Sequence, residues 1–255
     1  MTNRSLENRT AFITGASSGL GLRFAHVLAQ AGARVALAAR RTDRLEEQVA
    51  AIRAAGGQAL AITLDVADAE TIGAAMDQAQ TALGPLSLLV NNAGISGDGS
   101  ALSLPVERLD QTFDVNVRGV YVAAREAARR MIDSGVAAAG EARIINIASI
   151  AGMVQLPGLT AYCASKAAVV SLTQGLAREW AARHIAVNAI APGYIETEIN
   201  ADWFATEPGL AQINSFPRRR LMDDDALDQV LMLLAGPAAR FITGSIITVD
   251  DGQSL

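Results

Sequence analysis

The stretch Thr10–Arg41, TAFITGASSGLGLRFAHVLAQAGARVALAARR, decides the fold. It opens on the apolar run Ala11–Thr14 and passes through the turn Thr14-Gly15-Ala16-Ser17-Ser18-Gly19-Leu20-Gly21. A helical pattern follows over Leu20–Ala31, Gly32 stops it, and a second apolar run covers Arg34–Ala38. Strand, turn, helix and strand within about 30 residues make a βαβ unit. Both strand runs are apolar throughout rather than alternating, the mark of strands covered on two faces in a parallel sheet.

The same pattern continues outward. Further strands are predicted at Ala59–Leu64, Ser87–Asn91, Arg143–Ala148, Ile185–Ile190 and Ser245–Val249. Helices are predicted at Asp43–Ala55, Ala69–Leu83, Val106–Asp133, Ala161–Arg183 and Asp223–Leu234. Alternation with right-handed crossovers gives a doubly wound α/β sheet of seven parallel strands, helices on both faces. No linker and no internal repeat is visible, so residues 1–255 are expected to form one domain. Ligands of such sheets bind outside the carboxyl ends of the strands, so residues just after each strand matter most.

Composition excludes several classes. The 255 residues are 51% hydrophobic, and charged residues are 18%, below the ~25% usual in soluble domains. One cysteine, Cys163, cannot form an intrachain disulfide and is expected to pack in the interior. With only His26 and His184 besides, no thiolate or imidazole metal cluster is expected. A net charge of −5 without a basic block argues against a nucleic-acid partner. With a polar amino terminus no secretory segment is expected, and with no run of about 18 uncharged apolar residues no membrane span is expected. A cytoplasmic protein is expected.

The glycine turn has the spacing G-x-x-x-G-x-G at a strand–helix junction. There, glycines permit a tight turn and close backbone approach, and the helix amino end attracts a pyrophosphate. A plain connecting loop is the alternative. The second strand ends in Arg40-Arg41, with no acid placed for a ribose 2′-hydroxyl; Asp43 lies further on and suits a helix cap. A guanidinium matches a 2′-phosphate, which predicts NADP over NAD, unless Arg40 and Arg41 pair with Glu46 or Glu47. Asp65, after the third strand, is placed either for an adenine amino group or for a helix cap.

Tyr162 and Lys166 stand four apart on a predicted helix and share a face. A neighbouring cation favours phenolate and would draw the tyrosine pKa below ~10, preparing it for proton exchange; taken alone, the spacing also fits an ordinary surface Tyr/Lys pair. Ser149 ends the fifth strand thirteen residues earlier, where its hydroxyl can hold a carbonyl oxygen.

Taken together, these motifs resemble the short-chain dehydrogenase/reductase family over Thr10–Gly252. The likeness includes Asp65-Val66, Asn91-Asn92-Ala93-Gly94, Asn116, Ser149, Tyr162, Lys166 and Pro192-Gly193 followed by Thr197. It implies a Rossmann-like fold, a homotetramer, and hydride transfer between NADP(H) and a carbonyl or secondary alcohol, as in ketone or 3-oxoacyl reductases. Tyr162 would be the proton donor or base, Ser149 the carbonyl anchor, and Lys166 the group that lowers the tyrosine pKa and holds the nicotinamide ribose. Asn116 would hold a water relaying protons from Lys166. Gly15, Ser17, Ser18, Gly19, Leu20 and Gly21 would cradle the pyrophosphate. Arg40, Arg41, Asp65, Val66, Asn92, Ala93 and Gly94 would take the adenosine side, and Pro192, Gly193, Ile195 and Thr197 the nicotinamide. An NAD-dependent dehydrogenase of a secondary alcohol, diol or sugar is the alternative; a non-catalytic nucleotide-binding regulator is a third.

The family's mobile substrate lid would span about 198–217. Tyr194, Trp203 and Phe204 there suggest an apolar roof, or plain helix packing. Ile150, Met153, Val154 and Gln155 are expected wall residues. Arg218–Arg220 would meet a CoA or carrier-protein phosphate, or pair with the nearby acids Asp223–Asp225. Three departures from the family pattern stand out: Ser18 where NADP-preferring relatives often carry a basic residue, Leu221–Asp225 in place of the usual turn, and Val249-Asp250-Asp251-Gly252 instead of V-D-G-G.

Overall fold

A computed structural model describes residues 5–196 and 200–255; Thr197 lies outside the described residues. The first half runs β1 (Thr10–Thr14), α1 (Gly19–Gln30), β2 (Arg34–Ala39), α2 (Thr42–Ala54), β3 (Gln58–Thr63), α3 (Thr71–Leu83) and β4 (Leu86–Asn91). Next come α4 (Val106–Phe113), a π turn (Asp114–Gly119), α5 (Val120–Asp133) and β5 (Ala142–Ile147). The chain ends with α6 (Thr160–Trp180), β6 (Ile185–Pro192), α7 (Ala201–Phe204), α8 (Glu207–Ser215), α9 (Asp228–Ala235) and β7 (Ile246–Val249).

All seven strands pair in parallel, in the order β3-β2-β1-β4-β5-β6-β7. The apolar strands are buried on both faces for the reason their composition implied. Ala11 and Ile13 of β1 pack with Phe24 and Leu28 of α1, Leu45 of α2 and Leu231 of α9. Phe12, between them, points to the other layer, with Ile72 of α3, Ala123 of α5 and Leu176 of α6. Among the described residues, no helix is long and apolar enough to cross a membrane.

Two expected helices differ. Val106–Asp133 is not one regular helix, because six residues around Asn116 adopt the wider π turn. The last helix begins at Asp228, not Asp223. Asp223 and Asp225 instead accept turn hydrogen bonds through their carbonyls from Ala226 and Asp228. Asp224 joins Asp228 in binding Arg23 of α1, at 2.8 and 2.7 Å. Asp43 lies inside the first turn of α2 rather than capping it.

The winding reverses between β1 and β4, so the carboxyl ends of these neighbours open a crevice. Its two banks are tied together. The Thr14 hydroxyl accepts from the backbone N–H of Asn92 and of Ala93, at 3.0 and 3.1 Å. The Asn92 amide returns bonds to the carbonyls of Thr14 and Gly15. Gly21 sits against this seam, where a Cβ would overlap both the Asn92 amide nitrogen and the Gly15 carbonyl. The backbone cannot yield easily, so Gly21→Ala should destabilise by about 1–3 kcal/mol, the usual range of overpacking. Thermal unfolding would show this as a Tm lowered by several degrees; an unchanged Tm would contradict the packing described.

Candidate active site

The crevice widens into a cleft of about 1040 Å³ along the carboxyl edge of the sheet. At one end stand Gly15, Ser17, Ser18, Gly19 and Leu20. The amino end of α1 has no side-chain cap and no acid in its first turn. Its free N–H groups and positive dipole end therefore suit a phosphate group, and the donor set fits the pyrophosphate of a dinucleotide. Gly21 lies behind this wall, at the seam.

Arg40, Arg41, Asp65 and Val66 line the outer part of the same end. The arginines do not turn to Glu46 or Glu47. Arg41 reaches back over the glycine turn and donates to the hydroxyls of Ser17, at 3.0 Å, and Ser18, at 2.6 Å. Arg40 is exposed and lies 3.9 Å from Asp65. The other carboxylate oxygen of Asp65 accepts from the Ala67 N–H, closing a local turn.

Asn92, Ala93 and Gly94 form the floor in mid-cleft. Asn91 is buried behind them, where its amide bonds the Val120 carbonyl and the Asn146 side chain. At the far end Ser149, Tyr162 and Lys166 face the cleft together with Pro192, Gly193, Tyr194 and Ile195. Ser149 follows β5 and opens a short 3-10 turn, its hydroxyl accepting from the Ala151 N–H at 3.1 Å. This turn lies directly on α6 because Gly152 has no side chain; a Cβ there would meet the Lys166 backbone at 2.9 Å. Serine and tyrosine are thus brought to one place by a close backbone approach. Lys166, one turn beyond Tyr162, is buried and donates to the Ile147 carbonyl at 2.8 Å.

Asn116 does not line the cleft. Its amide donates to the Ile95 carbonyl and the Ser165 hydroxyl, and its oxygen accepts from the Ile95 N–H. It still borders the site through Gly94, where a Cβ would lie 3.4 Å from the Asn116 oxygen and 3.5 Å from the Lys166 nitrogen.

Of the expected wall residues, Ile150 lines the cleft, whereas Met153, Val154 and Gln155 do not. The 3-10 turn carries them outward, and the wall resumes at Leu156–Leu159. Trp203 and Phe204 close the far end with Tyr194, which meets Phe204 edge-on at 5.7 Å and stacks on Phe216 at 5.4 Å. Half of Trp203 stays exposed, its indole N–H held by Gln212. The sequence reading missed the polar bank of Ser96, Asp98, Arg108 and Gln111. Their position after β4 was the signal available, since that is where ligand-facing residues concentrate.

The sequence model of the short chain dehydrogenases matches residues 9–208. The chain belongs to the short-chain dehydrogenase/reductase family. It is 35% identical to the 3-oxoacyl-acyl-carrier-protein reductase FabG of Staphylococcus aureus, over 96% of this chain and 98% of the other. It is 37% identical to the galactitol 2-dehydrogenase (L-tagatose-forming) of Cereibacter sphaeroides, over 98% and 96%. The short-chain dehydrogenase/reductase structure from Serratia marcescens superposes with a TM-score of 0.90 at 39% identity, covering 98% of this chain and 100% of that one. Members of this family use NAD(P), and this short-chain dehydrogenase/reductase is an oxidoreductase acting between carbonyl and alcohol groups.

The electrostatics of its site differ from the simple picture of a lysine acidifying a phenol. Burial pushes the Tyr162 phenol up to about 12; a hydrogen bond from Ser149 pulls the other way, and the negative charge of nearby Asp98 adds slightly to the rise. Burial also draws the Lys166 ammonium down to about 8. In this arrangement Tyr162 holds its proton through the neutral range, the state a proton donor would need, and Lys166 is charged below about pH 8 and loses charge above it. A donor that is protonated at every working pH predicts carbonyl reduction nearly flat from about pH 6 to 8, while alcohol oxidation, which needs phenolate, rises with pH. Tyr162→Phe should lower turnover in both directions by at least about 10²-fold and leave nucleotide binding intact. Steady-state pH profiles and a nucleotide-binding titration on the variant check both; a variant with wild-type turnover would remove Tyr162 from the chemistry.

Proposed function

We propose that the protein is an NADP(H)-dependent reductase of ketones or 3-oxoacyl-type carbonyls, working reversibly on the matching secondary alcohols. The observation that carries the reaction is the convergence of Ser149, Tyr162 and Lys166 at one end of a cleft whose other end is an uncapped helix amino terminus. The bound nicotinamide supplies or accepts the hydride. Tyr162 gives the carbonyl oxygen its proton on reduction and takes it back on oxidation. Ser149 fixes that oxygen by a second hydrogen bond. Lys166, held by the Ile147 carbonyl, would hold the nicotinamide ribose hydroxyls. Asn116 spends its side chain on Ile95 and Ser165, which leaves that side chain little capacity for a water relaying protons from Lys166.

NADP preference is supported by Arg41. No carboxylate stands at the end of β2, and the Arg41 guanidinium is fixed over the glycine turn by two serine hydroxyls. Ser18, where relatives often carry a cation, instead holds one. A 2′-phosphate there would gain charge-assisted hydrogen bonds worth about 1.5–3 kcal/mol. Arg41→Ala should therefore cut kcat/KM for NADPH by roughly 10–100-fold and change that for NADH little. Wild-type protein that prefers NADH would overturn the NADP reading.

A second reading, oxidation of a diol or sugar alcohol, is favoured by the polar bank. The Ser96 hydroxyl donates to Asp98 at 2.8 Å, and Arg108 donates to the Ser96 carbonyl and to Gln111, each at 2.8 Å. These groups face the apolar wall formed by Leu156, Leu159 and Phe204. A homotetramer is also proposed, supported by exposed Tyr121 and Ile132 on α5 and by Phe241, 84% exposed, before β7. A turnover panel of simple ketones, 3-oxoacyl thioesters and polyols separates the two substrate readings. The first predicts highest kcat/KM for ketones or thioesters with NADPH; highest kcat/KM for a polyol would decide for the second.

A further inference from the structure

The carboxyl-terminal departure from the family pattern has a structural counterpart. Asp251 sits at φ +52 and Arg219 at φ +51, both in the left-handed region that side chains rarely adopt. Such strain persists where surrounding contacts over-determine the backbone. Here the contacts join the two residues' neighbourhoods. One oxygen of Asp251 lies 3.0 Å from Arg218, and the other accepts from Arg220 at 2.8 Å. The hydrogen bond from Arg220, with the charge of Arg218, holds the Asp251 carboxyl below its ordinary range. Asp251, and none of the adjacent acids Asp223–Asp225, is the ion-pair partner of Arg218 and Arg220.

Gln253 makes a second tie. Its oxygen accepts from the Tyr194 N–H at 2.6 Å, and its amide donates to the carbonyls of Arg220, at 3.2 Å, and Tyr194, at 3.4 Å. The tail that presents these side chains is itself fixed. The Asp250 carboxylate accepts from the N–H groups of Gly252 and Ser254 and from the Ser254 hydroxyl. The Met222 N–H donates to the Tyr194 carbonyl at 3.1 Å, drawing the two strands of chain together. Tyr194 and Arg218–Met222 are the entry and exit of the segment that places Trp203, Phe204 and Gln212 on the cleft.

We propose that Asp251 and Gln253 are positioning residues for the substrate end of the cleft: together with Arg218, Arg220 and Tyr194 they form an ionic clasp that holds both roots of the covering segment. The inference rests on the reading that substrate occupies the Tyr194 end. Side chains that touch no reacting atom then set the position of the aromatic wall. The arginine partners are more than half exposed, so the clasp is sensitive to salt.

Asp251→Asn tests this with little backbone risk, because asparagine keeps the shape and tolerates left-handed φ. Hydrogen exchange of amides in residues 201–215 should be about 10-fold faster in the variant than in wild type at low salt. About 1 M NaCl, where the Debye length is ~3 Å, should accelerate the wild type similarly and leave the variant unchanged. Amides of β1 and β4 should exchange alike in both proteins, which separates a loosened segment from a failing fold. With a neutral ketone from the panel above and saturating cofactor, KM should rise about 3–10-fold and kcat stay within about twofold. Equal exchange in the two proteins would overturn the clasp, and faster exchange with unchanged KM would overturn its positioning role. The exchange result is independent of which cofactor or carbonyl the enzyme prefers, so a failed substrate reading is told apart from a failed clasp.

Discussion

The site depends on one seam. A doubly wound sheet must reverse its winding somewhere, and at that place two neighbouring strands lose the loops that would cover their carboxyl ends. Backbone groups left open there need partners or a ligand. In this protein the Thr14 hydroxyl and the Asn92 amide supply partners for the two banks at β1 and β4. The amino end of α1 is left for an anion. The glycine turn, the floor at Asn92–Gly94 and the approach of α1 all take their positions from this bonding. The same seam explains a sequence requirement that neither strand shows alone, the absence of a side chain at Gly21.

Burial decides the electrostatics. Tyr162 and Lys166 are close enough for an ammonium–ring contact, 5.6 Å from nitrogen to ring centroid. Yet both are removed from water, and desolvation favours the neutral form of each. A neutral phenol is a good donor and a poor base. The phenol in this cleft is thus in the state that donating a proton needs, and the phenolate that accepting one needs forms only at alkaline pH.

Much of this was legible in the residues. Apolar runs such as Val35–Ala39 announced strands covered on both faces, and the Tyr162–Lys166 spacing announced a shared helical face. What escaped were facts of direction and distance. Nothing in Arg40-Arg41 says which guanidinium folds back on the serines of a turn more than twenty residues earlier. Gln155 and Leu156 are neighbours in sequence, but a short 3-10 turn puts only the second on the cleft. Asp251 could be recognised as unusual, though its partners lie about thirty residues upstream. A run of acids beside a run of arginines suggested pairing in sequence, and the fold instead drew Asp224 to Arg23.

The π turn at Asp114–Gly119 acts as a gear for rotational phase. Each α-helical residue advances about 100° around the axis, and one extra residue in a wide turn shifts everything beyond it by that angle relative to what precedes. Before and within the turn, Thr112 and Asn116 face inward, Asn116 against Ser165 of α6. After it, Val122, Ala123, Ala127 and Met131 face the sheet and α3. A single-residue deletion in this turn would restore a regular helix and put those two stripes out of phase, so that one of them must face water. A helix of even pitch could pack against α6 or against α3 and the sheet here; the uneven one does both.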